Sequence, residues 1–200
     1  ALEAGVERFL YCSSLSAVGD IVGEEPAPDD LPPRPTTAYG ASKAAMDMVL
    51  TGLWRRVPMD LVSLRYTGIY GPARRTSFLV DDLVDAALAG RPVAVPRQEA
   101  VPYVYVDDAA AATVAALASD GRRQLFYAIA HPQRVATAEL AGHVSDVAGP
   151  LDWREDPTLP PLRRGAVSIE AARRDFDFRP RIDIREGVRR TVDGRRAPAE

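Results

Sequence analysis

Arg8-Phe9-Leu10-Tyr11-Cys12 is a short, mostly apolar run, opened after Gly5 and closed by Ser13-Ser14. Such a run reads as a strand buried inside a parallel sheet. Working outward, residues 20–37 hold five prolines and several acids, which makes them a loop. A helix is predicted from about Ala38 to Arg56, and a second strand over Met59–Tyr66. Gly68, Gly71 and Pro72 then break the chain. A helix follows over about 77–89, with Gly90 as its stop. Short strands are predicted near 93–95 and 103–105, and Asp107 or Asp108 is expected to cap a helix reaching about 119. Another strand spans 124–129, Thr137 caps a helix to about 148, and two helices near 168–174 and 184–193 close the chain. Strands that alternate with helices give an α/β fold with parallel strands. Beyond residue 73 the pieces shorten, which predicts a smaller lobe interleaved with the main sheet.

Two hundred residues with 46% apolar and 26% charged side chains build a globular core of one or two domains. A net charge of −3 argues against a nucleic-acid partner. The arginine pairs at 163–164, 173–174, 189–190 and 195–196 read as a solvated face. The single cysteine, Cys12, excludes an internal disulfide, and His131 and His143 lack ligand-like spacing. No apolar run approaches the ~18 residues that span a bilayer, and no signal peptide opens the chain. A cytoplasmic location with no membrane partner is expected. The opening Ala1-Leu2-Glu3-Ala4-Gly5 reads as the tail of a helix with Gly5 at its C-cap, as expected of a chain whose earlier part is missing.

Three pieces converge on chemistry. The first strand ends in Ser13-Ser14-Leu15-Ser16-Ala17-Val18-Gly19. Tyr39 and Lys43 lie four residues apart on a helix and so share one face. The second strand ends in Leu64-Arg65-Tyr66-Thr67-Gly68-Ile69-Tyr70-Gly71-Pro72. In an open parallel sheet the site lies beyond the carboxyl ends of the strands, which places a hydroxyl, a phenol and an ammonium in one crevice. Lys43 is the only lysine among 25 basic residues. A compact ammonium can sit under a sugar hydroxyl and acidify a neighbouring phenol, which a planar guanidinium does less well. This is equipment for moving a proton to or from an alcohol while hydride leaves its carbon.

With these motifs, and with Pro35-x-x-x-Tyr39-Gly40-Ala41-Ser42-Lys43, Val104-Tyr105-Val106-Asp107-Asp108 and Asp175-Phe176-Asp177-Phe178-x-Pro180, the chain resembles the extended short-chain dehydrogenase/reductases, the NAD-dependent epimerase/dehydratase group. The resemblance implies the C-terminal part of a Rossmann-like doubly wound parallel sheet with a smaller interleaved α/β substrate-binding lobe. Residues 1–72 would be the second half of the Rossmann-like domain. Residues 73–200 would be mainly the substrate lobe, with segments around 101–130 returning to the main sheet. It implies Tyr39 as acid/base, Lys43 on the nicotinamide ribose, and Ser14 bonded to the reacting oxygen, with Ser13 and Ser16 as stand-ins. Tyr66, Thr67 and Ile69 would line the nicotinamide pocket, Arg65 would tie the strand end to nearby carbonyls, and the cofactor would be NAD or NADP. A homodimer would pair through Met46, Val49, Leu50 and Leu53 of one helix and Phe78, Leu79, Val84 and Leu88 of the next.

The chain departs from the family in three places. The Gly-rich phosphate loop is absent, and with the strands around it would precede Ala1. No acidic pair follows Ser14, which argues against dehydration. The sugar-nucleotide-gripping Asn and Arg are replaced by Gly68 and Val101, which leaves Ser16, Arg74, Arg75 and Arg97 as candidate grips on a small-molecule substrate. The function expected is NAD(P)-dependent oxidoreduction or epimerisation of a sugar or related hydroxyl-bearing molecule. The alternatives are a simple ketone or aldehyde reductase, and a non-catalytic ligand- or partner-binding module.

Overall fold

The computed structural model describes residues 1–23, 25–98, 100–161 and 163–197. The leading apolar run forms strand β1 (Arg8–Ser14), followed by one 3-10 turn at Leu15–Val18. The proline-rich loop leads into helix α1 (Ala38–Leu53), whose first turn is capped by the Thr37 hydroxyl accepting the Gly40 N–H at 3.0 Å. Strand β2 (Asp60–Tyr66) returns beside β1, parallel and in register from Arg8 opposite Asp60 to Ser14 opposite Tyr66. The two strands therefore end side by side.

The glycine-broken stretch that follows forms a strand too, β3 (Gly68–Tyr70), which periodicity does not reveal because it is three residues long and starts on glycine. Then come α2 (Leu79–Ala89), β4 (Val93–Pro96), β5 (Val101–Tyr105) and α3 (Val106–Ala118). Strand β6 (Phe126–Ile129) pairs parallel with β2 and completes a sheet ordered β1-β2-β6. The remaining elements are β7 (Arg134–Val135), α4 (Thr137–Ala148), β8 (Trp153–Asp156), α5 (Glu170–Phe176) and α6 (Ile184–Arg196). Strands β3, β5 and β7 form a second sheet, and β4 pairs with β8. Trp153-Arg154-Glu155-Asp156 carries no apolar alternation, so only its pairing partner makes it a strand.

The first sheet lies between two helical layers. On one face Leu50 of α1 packs with Leu61 and Leu125. On the other, Ala109, Ala112 and Ala116 of α3 and Ala171, Ala172 and Phe176 of α5 cover Val62, Leu64 and Ile129. This is a doubly wound α/β arrangement with parallel strands. A second core gathers α2, α4 and α6 around Tyr70, Tyr103 and Tyr105. Within 101–130, α3 and β6 join the first sheet while β5 pairs with β3.

Two caps differ from the sequence expectation. Helix α3 starts after Tyr105 with no side-chain cap, and Asp108 instead accepts the backbone N–H groups of Arg181 and Ile182 at 2.9–3.0 Å, so a distant segment takes the carboxylate. Thr137 is the first residue of α4 and Ala136 its cap. Of the apolar residues considered for pairing two copies, Leu50 and Val84 are buried within the chain, and Val49 is exposed. Among the described residues, no helix is long and apolar enough to cross a membrane.

Candidate active site

A cavity of about 590 Å³ opens at the carboxyl ends of β1 and β2. It gathers Ser14, Ser16, Tyr39, Lys43, Tyr66, Thr67, Ile69 and Arg74. Arg97 is not among them. It follows β4, which pairs away in the second lobe, and its largely exposed guanidinium lies 3.9 Å from Glu155.

Local structure explains how Ser14, Tyr39 and Lys43 come together. The Ser14 hydroxyl oxygen accepts the Ser16 N–H at 3.1 Å and caps the 3-10 turn, which leaves its own proton free to be donated. Gly40, between Tyr39 and Lys43, lets α1 touch that turn: a Cβ there would sit 2.3 Å from the Ser16 carbonyl oxygen. Close approach of helix and strand end therefore needs glycine. Lys43 reaches back to donate to the Cys12 carbonyl at 2.8 Å. Its Nζ lies 5.1 Å from the Tyr11 ring centroid and 5.8 Å from that of Tyr39.

The two cavity phenols differ. Tyr66 is buried and shares a 2.5 Å hydrogen bond with Thr113; burial pushes its pKa up, so it stays a phenol. Tyr39 is 57% exposed and faces the open cavity. Thr67 is already committed, donating to the Pro102 carbonyl at 2.7 Å.

Arg65 is fully buried and does tie the strand end to carbonyls, donating to Leu31 at 2.7 Å and Asp29 at 3.3 Å. It also donates to the Asp47 carboxylate, a partner the sequence did not reveal.

Arg164 corrects the reading of 163–164 as a solvated pair. It is only 8% exposed and lines the cavity. The bridge between Ile21 and Arg164 turns its side chain inward, where it donates to the Gly19 carbonyl at 2.6 Å and the Ser16 hydroxyl at 2.9 Å. Among the described residues no carboxylate lies within ion-pair distance of it, and burial lowers its pKa while Asp20 opposes that shift. A buried, unpaired guanidinium on a cavity wall is a place for an anion. No local sequence signal marks it, because its partners lie some 145 residues away. Phe78 and Gly68 complete the wall, the ring occupying the space a Gly68 side chain would take. The lining contains no Asp or Glu among the described residues.

A family model described as NAD dependent epimerase/dehydratase family matches residues 1–130. A UDP-glucose 4-epimerase of Mycolicibacterium smegmatis is 27% identical over 197 residues, covering 95% of this chain and 63% of that protein. A dTDP-glucose 4,6-dehydratase of Streptomyces antibioticus is 28% identical over 199 residues, covering 96% and 58%. The crystal structure of the Thermus thermophilus UDP-glucose 4-epimerase with NAD superposes with a TM-score of 0.85 at 29% identity, covering 98% of this chain and 66% of that one. The chain thus spans about three fifths of the length of the curated relatives it matches.

Proposed function

Because this chain belongs to the NAD-dependent epimerase/dehydratase family, we propose that it carries the proton-transfer residues of an NAD(P)-dependent enzyme that oxidises and reduces, or epimerises, a sugar-like substrate. The observation that carries this reading is the gathering of Ser14, Tyr39 and Lys43 in one cavity where two parallel strands end.

The residues fit a nicotinamide dinucleotide. Lys43 uses one donor on the Cys12 carbonyl, and its other two have no partner among the described residues, so they can meet a pair of ribose hydroxyls. Tyr39, Lys43, Tyr66, Thr67 and Ile69 would hold the cofactor, NAD or NADP, which when bound supplies the hydride chemistry. Tyr39, open to the cavity, takes the proton from the substrate hydroxyl and returns it. Ser14 donates its free O–H to the reacting oxygen. Lys43, its ammonium 5.8 Å from the Tyr39 ring centroid, holds the ribose.

The substrate proposed is a sugar or related hydroxyl-bearing molecule with an anionic group, which Arg164 attracts beside Ser16. Dehydration fits less well, because it needs a carboxyl acid or base near the sugar and none lines the cavity among the described residues. Epimerisation and simple reduction use the same three residues.

The test is Tyr39→Phe in the full-length protein. Turnover should fall about a hundredfold or more, with NAD(P) affinity within about twofold of wild type. Wild-type-like turnover overturns the reading.

A further inference from the structure

Arg74 reaches the cavity from the loop between β3 and α2, and its guanidinium carbon lies over the Phe78 ring, 4.5 Å from the centroid. Phe78 can lie there because position 68 is glycine; a Cβ would stand 2.1 Å from the ring. Two carbonyls hold the guanidinium: Nη1 donates to Ile69 at 2.6 Å and Nε to Thr76 at 3.1 Å. Its Nη2 has no hydrogen-bond partner among the described residues.

Behind Arg74 sits Asp81, in the first turn of α2 and only 2% exposed. One carboxylate oxygen accepts from Arg195 of α6 at 3.1 Å. The other, Oδ2, is buried without a hydrogen bond, 3.6 Å from the Arg74 Nε. Arg195 also donates to the Arg74 carbonyl at 3.0 Å. A buried carboxylate oxygen lacking a partner is rare, since leaving it so costs free energy. Within ion-pair distance of it stands the Arg74 guanidinium, which also lines the cavity.

We infer that Asp81 is a positioning residue: with Arg195 it anchors Arg74 against Phe78, so that the free edge of the guanidinium meets an anionic group of the substrate. This rests on the reading of the cavity as the active site. The charged groups facing Asp81 are Arg74 from the loop, Arg195 from α6 and Asp85 on its own helix. Burial raises the Asp81 pKa to about 6, against the two arginines, so the anchor ionises within an accessible pH range. Above that pH Asp81 holds Arg74 as an anion; below it the arginine loses its counter-charge.

The test follows the Arg74 Nε–H signal by nitrogen-15 NMR in the full-length protein, assigned by its loss in Arg74→Lys. The probe is inorganic sulfate, whose charge is constant between pH 5 and 7. At pH 7.5 sulfate should shift this signal saturably, and Asp81→Asn should weaken that binding about tenfold. Wild-type affinity should fall several-fold from pH 7 to pH 5, and the Asp81→Asn profile should be flat. Asp81→Glu, which keeps the charge, should restore most of the affinity and serves where Asp81→Asn fails to fold. No shift of the Arg74 signal, or equal affinity and pH profile in Asp81→Asn, overturns the inference. Tyr39→Phe should leave the titration unchanged, so turnover surviving in that variant sinks the functional reading without touching this one.

Discussion

The Arg65 Nε donates to the Asp47 carboxylate at 2.9 Å, and neither side chain is exposed to solvent. Asp47 lies one helical turn beyond Lys43 on α1, and Arg65 is the penultimate residue of β2. The pair therefore fixes the helix that presents Tyr39 and Lys43 to the strand whose end floors the cavity. Ser63 adds a hydroxyl donor to Asp47 at 2.8 Å, and Arg65 reaches on to the proline-rich loop through the carbonyls of Asp29 and Leu31. Asp47→Ala would leave a buried guanidinium without its counter-ion, at about 3–5 kcal/mol. For a chain of this size the midpoint of thermal unfolding should fall on the order of 10 °C. Replacing both partners by apolar residues, Asp47→Leu with Arg65→Met, should recover most of the loss. Circular dichroism melts check this, and a single variant melting within a degree of wild type would show that the anchor lies elsewhere.

Gly68 and Phe78 form a second coupled pair. The ring also stacks edge-on against Tyr103, 5.8 Å between centroids, so it has little room to retreat from a new methyl group. Gly68→Ala should destabilise by about 1–3 kcal/mol through overpacking. Adding Phe78→Leu should return part of that by opening the space, giving non-additive changes in a double-mutant cycle. Additive effects in urea titrations would mean that the two positions do not compete for one volume.

Lys43 should separate cofactor binding from chemistry. Lys43→Met removes the ammonium that bridges the Cys12 carbonyl and the cavity. The dinucleotide KM should rise at least tenfold, where Tyr39→Phe lowers kcat with little change in that KM. Lys43→Arg should rescue poorly, because a planar fork cannot replace a point charge at a site walled by the Tyr11 and Tyr39 rings. Initial-rate kinetics decide it, and an unchanged dinucleotide KM in Lys43→Met would remove the residue from the cofactor site.

The legible part of this molecule was its local part. The apolar runs of β1 and β2 announce themselves, and Tyr39 and Lys43 share a helix face by spacing alone. The strand-end serines and the Tyr66–Ile69 stretch reach the same cavity because parallel strands in register must end together. What stayed hidden depends on contacts between distant segments. Arg164 turns inward through a bridge to Ile21, although its sequence neighbourhood reads as surface. Asp108 leaves the cap of α3 for the backbone of Arg181 and Ile182. Arg97 is drawn off to Glu155 because β4 pairs with β8, a strand with no apolar pattern to betray it.

Asp175 should contribute to the acid limb of stability. Its carboxylate is almost fully buried at the end of α5. Burial pushes its pKa up, but donors from Arg174 at 2.6 and 2.9 Å, the Tyr127 hydroxyl at 2.7 Å and the Arg123 N–H at 3.1 Å outweigh that and bring it to about 2. A folded-state pKa below the unfolded value of 3.8 means that the unfolded chain binds the proton more readily. The contribution to stability is therefore fully present above pH ~4 and lost as pH falls toward 2, a change of about 2 kcal/mol. Asp81 acts in the opposite sense: its raised pKa makes the folded state bind the proton first, so its contribution declines as pH rises from about 4 to about 6. Stability measured by urea titration should thus fall between pH 4 and 6 in wild type relative to Asp81→Asn. In Asp175→Asn the loss between pH 4 and 2 should be smaller than in wild type by that amount. An acid limb identical in the two proteins would mean that Asp175 is not the carboxylate whose protonation loosens α5 from β6.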